Sequence, residues 1–135
     1  MRANIHLSFD GRCQEAFEFY KDLLGASITL MLSYGDSPLS ENTPEEWRNK
    51  IIHANLTLDN SEISGTDVQP HQYQKPQGFS MLLEVNNQAE TERVFEALAE
   101  GGSIEFPLQK TFWSEAYGRL TDRYGIPWEI NCAES

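Results

Sequence analysis

One motif occurs twice in this chain. Tyr20-x-x-Leu23 followed by Gly25-Ala26-Ser27-Ile28 returns as Phe95-x-x-Leu98 followed by Gly101-Gly102-Ser103-Ile104, with one residue inserted. Self-similarity at a long period is the signature of repeated supersecondary units, and it constrains the fold before any single element does. The flanking patterns repeat as well. Asn4-Ile-His-Leu-Ser-Phe alternates as a strand does, with Ile5, Leu7 and Phe9 on one face and Asn4, His6 and Ser8 on the other. Asp10-Gly11 breaks it, and Cys13 to Leu24 carries a helical apolar stripe of Ala16, Phe17, Tyr20, Leu23 and Leu24, closed by Gly25. Ser27 to Ser33, Ile52 to Leu58 and Glu62 to Thr66 read as strands. Downstream, Phe79 to Val85 predicts a strand, Asn86-Asn87 a turn, and Glu90 to Ala99 a helix ended by Gly101-Gly102. Ala116 to Leu120 and Ile126 to Cys132 predict further strands.

The unit is therefore β-α-β-β-β, twice, an α+β architecture. One small sheet with one helix covers a single face, so the two modules are expected to pair their curved sheets around a cleft with the helices outside. The expected division is one domain over 1–135: module 1 about 1–67, a polar, proline-marked linker about 68–77, and module 2 about 78–135. A chain of 135 residues is long enough to bury a core without disulfides or metal staples. The stretch from Tyr34 to Lys50 is long for a connection inside a compact domain. Such loops act as lids, as partner contacts or as solvated insertions.

The formal net charge of -11 argues against a nucleic-acid partner, whose phosphates are neutralised by Lys and Arg. No apolar run approaches the roughly 20 residues that span a bilayer, and the start, Met1-Arg-Ala-Asn-Ile-His, lacks a long apolar signal segment, so a cytoplasmic protein without a membrane partner is expected. Cys13 and Cys132 form no C-x-x-C pair and are expected to be reduced and structural. The glycine-rich phosphate loop, the dinucleotide fingerprint, the nucleophile elbow and the H-E-x-x-H zinc motif are all missing.

If each helix packs on the apolar face of its sheet, the polar strand faces turn toward the cleft. They nominate His53, Asn55 and Thr57 against Ala54, Leu56 and Leu58; Glu129 and Asn131 against Trp128 and Ile130; and Ser80 and Glu84 against Met81, Leu83 and Val85. His6, His53 and Glu129 are candidate ligands for a divalent metal, since imidazole and carboxylate suit zinc, nickel, manganese or iron. The competing reading of such a face is a solvated surface. Glu129 is also the candidate catalytic carboxylate. Asn55 and the aromatics Trp47, Phe112, Trp113 and Tyr117 are candidate substrate-binding residues, although aromatic clusters equally serve core or dimer packing.

Several blocks then align in order with a known family. Leu7-Ser-Phe-Asp-Gly-Arg-Cys-Gln-Glu-Ala-Phe-Glu-Phe-Tyr, Ser33-Tyr-Gly-Asp-Ser-Pro, Ile52-His-Ala-Asn-Leu, Thr111-Phe-Trp, Tyr117-Gly and Thr121-Asp-Arg-Tyr-Gly-Ile-Pro-Trp-Glu-Ile-Asn resemble the PhnB-like branch of the glyoxalase/bleomycin-resistance/extradiol-dioxygenase superfamily, also called vicinal oxygen chelate. The resemblance implies paired β-α-β-β-β modules, homodimers, and a cleft where a divalent metal polarises vicinal oxygens of a small substrate. It places metal ligands on the first and last strands of each module. By position these fall at or beside His6 and on Glu129, while the other two fall around Glu62, Ser64 or Gly65 and around Phe79 or Ser80. His53, on a neighbouring strand, is a candidate substitute ligand that the residues suggest and the resemblance does not. Members of the branch are also described as demethylubiquinone methyltransferase-like, but the chain has no glycine-rich strand-to-helix turn for S-adenosylmethionine. The expected functions are a metal-dependent lyase, isomerase or oxygenase acting on a small oxygenated molecule, a metal-free protein that binds or sequesters one, or a dimeric regulatory protein.

Overall fold

The computed structural model describes residues 1–133. The chain forms two compact units, Met1–Gln74 and Lys75–Ser135. In unit 1 the order is β1 (Ile5–Phe9), α1 (Cys13–Leu24), β2 (Ser27–Ser33), β3 (Ile51–Leu58) and β4 (Ser61–Asp67). Unit 2 repeats it as β5 (Met81–Val85), α2 (Gln88–Ala99), β6 (Ser103–Gln109), β7 (Tyr117–Thr121) and β8 (Pro127–Cys132). The sheets run β1-β4-β3-β2 and β5-β8-β7-β6. In each, the first and last strands of the unit lie side by side in parallel and the remaining neighbours are antiparallel. The α+β, tandem β-α-β-β-β reading of the repeat therefore holds element by element.

In unit 1, α1 buries Cys13, Ala16, Phe17, Tyr20 and Leu23 against the apolar strand face of Leu7, Phe9, Ala54, Leu56 and Ile63. Burial of each large side chain contributes about 1.5–3 kcal/mol. The helix lies close to β4 because residue 65 is glycine: a Cβ there would stand 2.8 Å from Phe17 Cζ and 3.2 Å from Cys13 Sγ. Arg12, at the N-cap, makes no side-chain cap. Asp67, buried at the end of β4, supplies the acceptors instead. Its Oδ1 takes the amides of Gly11 and Cys13 at 3.0 and 2.9 Å, and its Oδ2 takes that of Ile51 at 2.8 Å. One carboxylate thus ties the helix start, β3 and β4 together, satisfying donors that burial would otherwise orphan.

In unit 2, α2 buries Thr91, Val94, Phe95 and Leu98. It begins at Gln88, two residues before the expected Glu90, because Asn87 caps it: Asn87 Oδ1 accepts the Glu90 amide at 2.8 Å. Strand β5 begins at Met81 rather than at Phe79, following Gly78 at φ 83°. Ser80 therefore lies outside the ladder, and the polar-facing residues of β5 are Leu82 and Glu84. Trp128 and Ile130 are buried toward the helix, as the alternation of β8 predicts. Asp122 organises the β7–β8 turn, accepting the Tyr124 and Ile126 amides and the Trp128 indole N–H.

The Tyr34–Lys50 segment is folded rather than open. Its ends are bridged by Tyr34 N–H to Lys50 C=O and Gly35 N–H to Arg48 C=O, both at 2.9 Å. Two short 3-10 turns, Ser40–Asn42 and Glu45–Trp47, fill the middle. The Tyr34 hydroxyl donates to the Asp67 carbonyl at 2.8 Å, anchoring the segment to β4.

Candidate functional site

The strand registers lay out the polar face of each sheet as a grid. In unit 1, His6 pairs with Ser64, Ser64 with Asn55, and Asn55 with Leu30, giving one row across four strands. The next row runs Ser8, Thr66 and then Leu32 beside His53. His6 and His53 thus sit diagonally on either side of β4, whose Ser64 and Thr66 are short enough for both rings to reach over them. The rings stack at 6.2 Å between centroids and 25° between planes. Desolvation first, and the neighbouring His53 second, hold the His6 pKa below the usual histidine value.

Asn55 is the hub of this face. Its Nδ2 donates to Thr29 Oγ1 at 2.8 Å and to Glu62 Oε1 at 3.1 Å, and its Oδ1 accepts from Ser64 Oγ at 3.0 Å. Glu62 also pairs with Arg2. The hydrogen bond from Asn55, then the pairing with Arg2, hold the Glu62 carboxyl below the ordinary range. Asn55 thus links Thr29, Glu62 and Ser64 on this face.

In unit 2 the corresponding rows are Leu82, Glu129, Arg119 and Phe106, then Glu84, Asn131, Tyr117 and Gln109. Tyr117 donates its hydroxyl to Glu129 Oε1 at 2.5 Å. Burial, followed by that hydrogen bond and the Glu129 charge, raises the Tyr117 pKa, with Arg119 opposing. The phenol is therefore a neutral donor at ordinary pH. An aromatic chain extends from it: Phe106 at 5.8 Å on one side, and Trp113 at 5.2 Å followed by Phe112 at 4.7 Å on the other. Beside this chain lies a pocket of about 330 Å3 lined by Phe112, Trp113, Thr111, Glu84 and Asn131 among others. Trp47, by contrast, lines a pocket of about 220 Å3 in unit 1 with Tyr34 and Gln72.

Apart from Trp47, which lines its own pocket in unit 1, the nominated residues fall into two groups. His6, His53 and Asn55 share the polar face of unit 1, and Phe112, Trp113, Tyr117 and Glu129 share one neighbourhood of unit 2. Sequence reasoning missed Thr111, and it placed Asn131 on the right face without giving it a role. Both carry a buried side-chain oxygen with no hydrogen-bond partner, Thr111 Oγ1 and Asn131 Oδ1. Alternation identifies the face of Asn131, but that its oxygen is unpaired is a property of the folded chain alone.

The implied metal can be tested against the residues present. In register, the partner of His6 is Ser64 and the partner of Glu129 is Leu82. The position expected at Phe79 or Ser80 is therefore an apolar side chain that cannot ligate. Glu129 Oε1 is already bonded to Tyr117. Among the described residues no three His, Cys, Asp or Glu side chains gather as a metal-holding group. The superfamily's four-ligand arrangement does not fit this chain.

Residues 2–131 match the family described as 3-demethylubiquinone-9 3-methyltransferase. Protein YjdN of Escherichia coli strain K12 is 36% identical over 139 residues, spanning 97% of this chain and 95% of the relative. Among solved structures, protein PA1353 from Pseudomonas aeruginosa superposes with a TM-score of 0.87 at 40% identity, over 99% of this chain and 100% of that one. The PhnB protein of Bacillus cereus superposes at 0.85 with 29% identity, over 98% and 100%. A glyoxylase/bleomycin resistance/dioxygenase domain from Frankia, 13% identical at a TM-score of 0.61 over 98% and 96%, shares the fold alone.

Proposed function

This chain belongs to the PhnB-like family described as 3-demethylubiquinone-9 3-methyltransferase, and on that premise we propose that it is a small-molecule binding protein whose site is organised by hydrogen bonds and aromatic rings. The observation that carries this reading is the Tyr117–Glu129 hydrogen bond. It fixes the carboxylate in one orientation and, among the described residues, leaves Oε2 without a hydrogen bond. A ligand hydroxyl or N–H can occupy that oxygen while its body lies against Trp113 and Phe106. Leu82, in register with Glu129, supplies an apolar wall where a ligating side chain would stand.

The family description names a methyl transfer, and the residues present do not fit S-adenosylmethionine. Nucleotide-type cofactors are held at a glycine-rich strand-to-helix turn, and neither Asp10-Gly11-Arg12 before α1 nor Asn86-Asn87 before α2 is one. Here the amides of Gly11 and Cys13 at the start of α1 are taken by Asp67, and that of Glu90 in α2 by Asn87.

A thermal-shift panel of cationic, neutral and anionic small molecules tests the reading. At least one class is expected to raise the melting temperature of the wild type in a saturable way. Glu129→Gln and Tyr117→Phe are each expected to weaken that ligand by about tenfold, the scale of one lost charge-assisted hydrogen bond. Equal stabilisation of wild type and both variants overturns it.

A second reading keeps His6, His53 and Glu129 as ligands for zinc, nickel, manganese or iron, with Glu129 catalytic. The approach of the two imidazoles at 6.2 Å supports it. Homodimer formation in the cytoplasm belongs to either reading. Exposed Phe79, Leu82 and Ile104 support the dimer, and two buried free thiols fit a reducing compartment. Light scattering at the mass of a single 15.4 kDa chain contradicts the dimer.

A further inference from the structure

The 330 Å3 pocket of unit 2 has walls of unusual chemistry. One wall is a tight turn closed by the Thr111 amide donating to the Ser114 carbonyl at 2.9 Å. Ser114 braces it: its hydroxyl donates to the Ala116 carbonyl and accepts the Ala116 amide. The turn holds two large aromatics out of the core, Phe112 at 97% exposure and Trp113 at 55%. Their rings meet edge to face at 4.7 Å, and both residues line the pocket. The opposite wall is the end of the β5–β8 ladder, where Glu84 and Asn131 are register partners.

Three features of this pocket agree on one kind of ligand. Two of its lining side chains carry buried oxygens that lack a partner, Asn131 Oδ1 and Thr111 Oγ1. The Asn131 amide oxygen only accepts, so it is completed by a donor such as N–H, while the Thr111 hydroxyl has both its donor and its acceptor capacity free and accommodates that donor without requiring it. Among the described residues the ionised side chains of the lining are Glu84, Glu115 and Lys110, and Lys110 stands 3.9 Å from Glu115, which leaves one carboxylate in excess. Indole and phenyl faces attract cations through their quadrupole. A carboxylate ligand would meet the Glu84 charge and the acceptor-only Asn131 oxygen, and a quaternary ammonium would bring charge without donors.

We propose that this pocket binds a protonated primary amine carried on an apolar body, its ammonium directed to Asn131, Thr111 and Glu84 and its body stacked on Trp113 and Phe112. The proposal rests on the small-molecule reading given above and adds the chemical class of the ligand. It is reached through the unpaired oxygens, independently of the Tyr117–Glu129 bond.

The test is an NMR titration of the full chain with three probes: 2-phenylethylammonium, its N,N,N-trimethyl derivative and 3-phenylpropionate. The ammonium is expected to shift the Trp113 indole N–H and the Asn131 side-chain amide saturably, and the trimethyl derivative to bind about tenfold more weakly because it offers no N–H. Phenylpropionate is expected to leave both signals in place. Trp113→Ala, at an exposed turn where folding is not at stake, and Asn131→Leu are each expected to weaken the ammonium by about tenfold. Equal binding of the trimethyl or propionate probe overturns the amine assignment and leaves the small-molecule reading standing. Silence at Trp113 and Asn131 with all three probes, while a panel ligand still depends on Glu129, does the same. Silence in both experiments overturns both.

Discussion

Tyr117 and Glu129 are joined diagonally: the phenol donates to Oε1 at 2.5 Å, although Tyr117 stands in register with Asn131 and Glu129 with Arg119. The long tyrosine side chain crosses one row of the antiparallel ladder, a reach that diagonal neighbours on one sheet face allow. The bond converts a strand carboxylate into an oriented acceptor.

The first prediction concerns this pair. Tyr117 is expected to titrate above the ordinary value of about 10, the direction set by burial and by Glu129. Because its folded pKa is raised, its contribution to stability is complete below pH 10 and is lost as the pH rises through the folded value. Glu129→Gln removes the charge and weakens the bond, so the Tyr117 ring signal is expected to titrate at lower pH. An unchanged titration contradicts the pairing.

The histidine pair gives a pH effect of opposite direction. The folded pKa of His6 lies below the ordinary histidine value of about 6.5, through desolvation and His53. The unfolded chain therefore takes up the proton first as the pH falls, and stability present above 6.5 declines through the window down to the folded value. His53→Asn removes the second cause and is expected to raise the His6 pKa partway, with desolvation holding the rest. Ring-proton NMR of His6 in the two proteins checks it.

Gly118 and Phe95 define the closeness of helix to sheet in unit 2. A Cβ at residue 118 would lie 2.5 Å from Phe95 Cε2 and 3.1 Å from the Leu108 Cα. Gly118→Ala is expected to cost about 1–3 kcal/mol by overpacking. Combined with Phe95→Leu the loss is expected to be less than the sum of the two single variants, as for residues sharing one space. Additive losses in urea unfolding contradict the contact.

Asp67 is the knot of unit 1. Asp67→Asn replaces an acceptor oxygen with a donor facing the Gly11 and Cys13 amides or the Ile51 amide. A loss of about 2–3 kcal/mol is expected, the scale for a buried charged acceptor whose partners are left unpaired. Faster alkylation of Cys13 should accompany it, because burial, then the Asp67 charge, holds that thiol well above its normal pKa in the native protein.

The repeat of Tyr20-x-x-Leu23 as Phe95-x-x-Leu98 carried the element order of both units, because each position faces the same helix–sheet contact. Element ends were less legible: the cap of Asn87 extends α2, and Gly78 delays β5, both local hydrogen-bond or backbone effects that apolar periodicity does not register. Alternation also placed His6, His53 and Glu129 on polar faces, since strand parity is a short-range property. It could not show that Ser64 and Leu82 are their ladder partners, because register is a pairing between distant segments. The unpaired oxygens of Thr111 and Asn131 lie further still from sequence, being defined by what fails to approach them.

The most direct test of the metal-free account is the metal content of protein purified without a tag, joined to NMR titrations with zinc, nickel and manganese. The account predicts well under one metal per chain and no concerted shift of His6, His53 and Glu129, since the paired positions are Ser64 and Leu82. One tightly held metal per chain, with those three residues responding together, would contradict it.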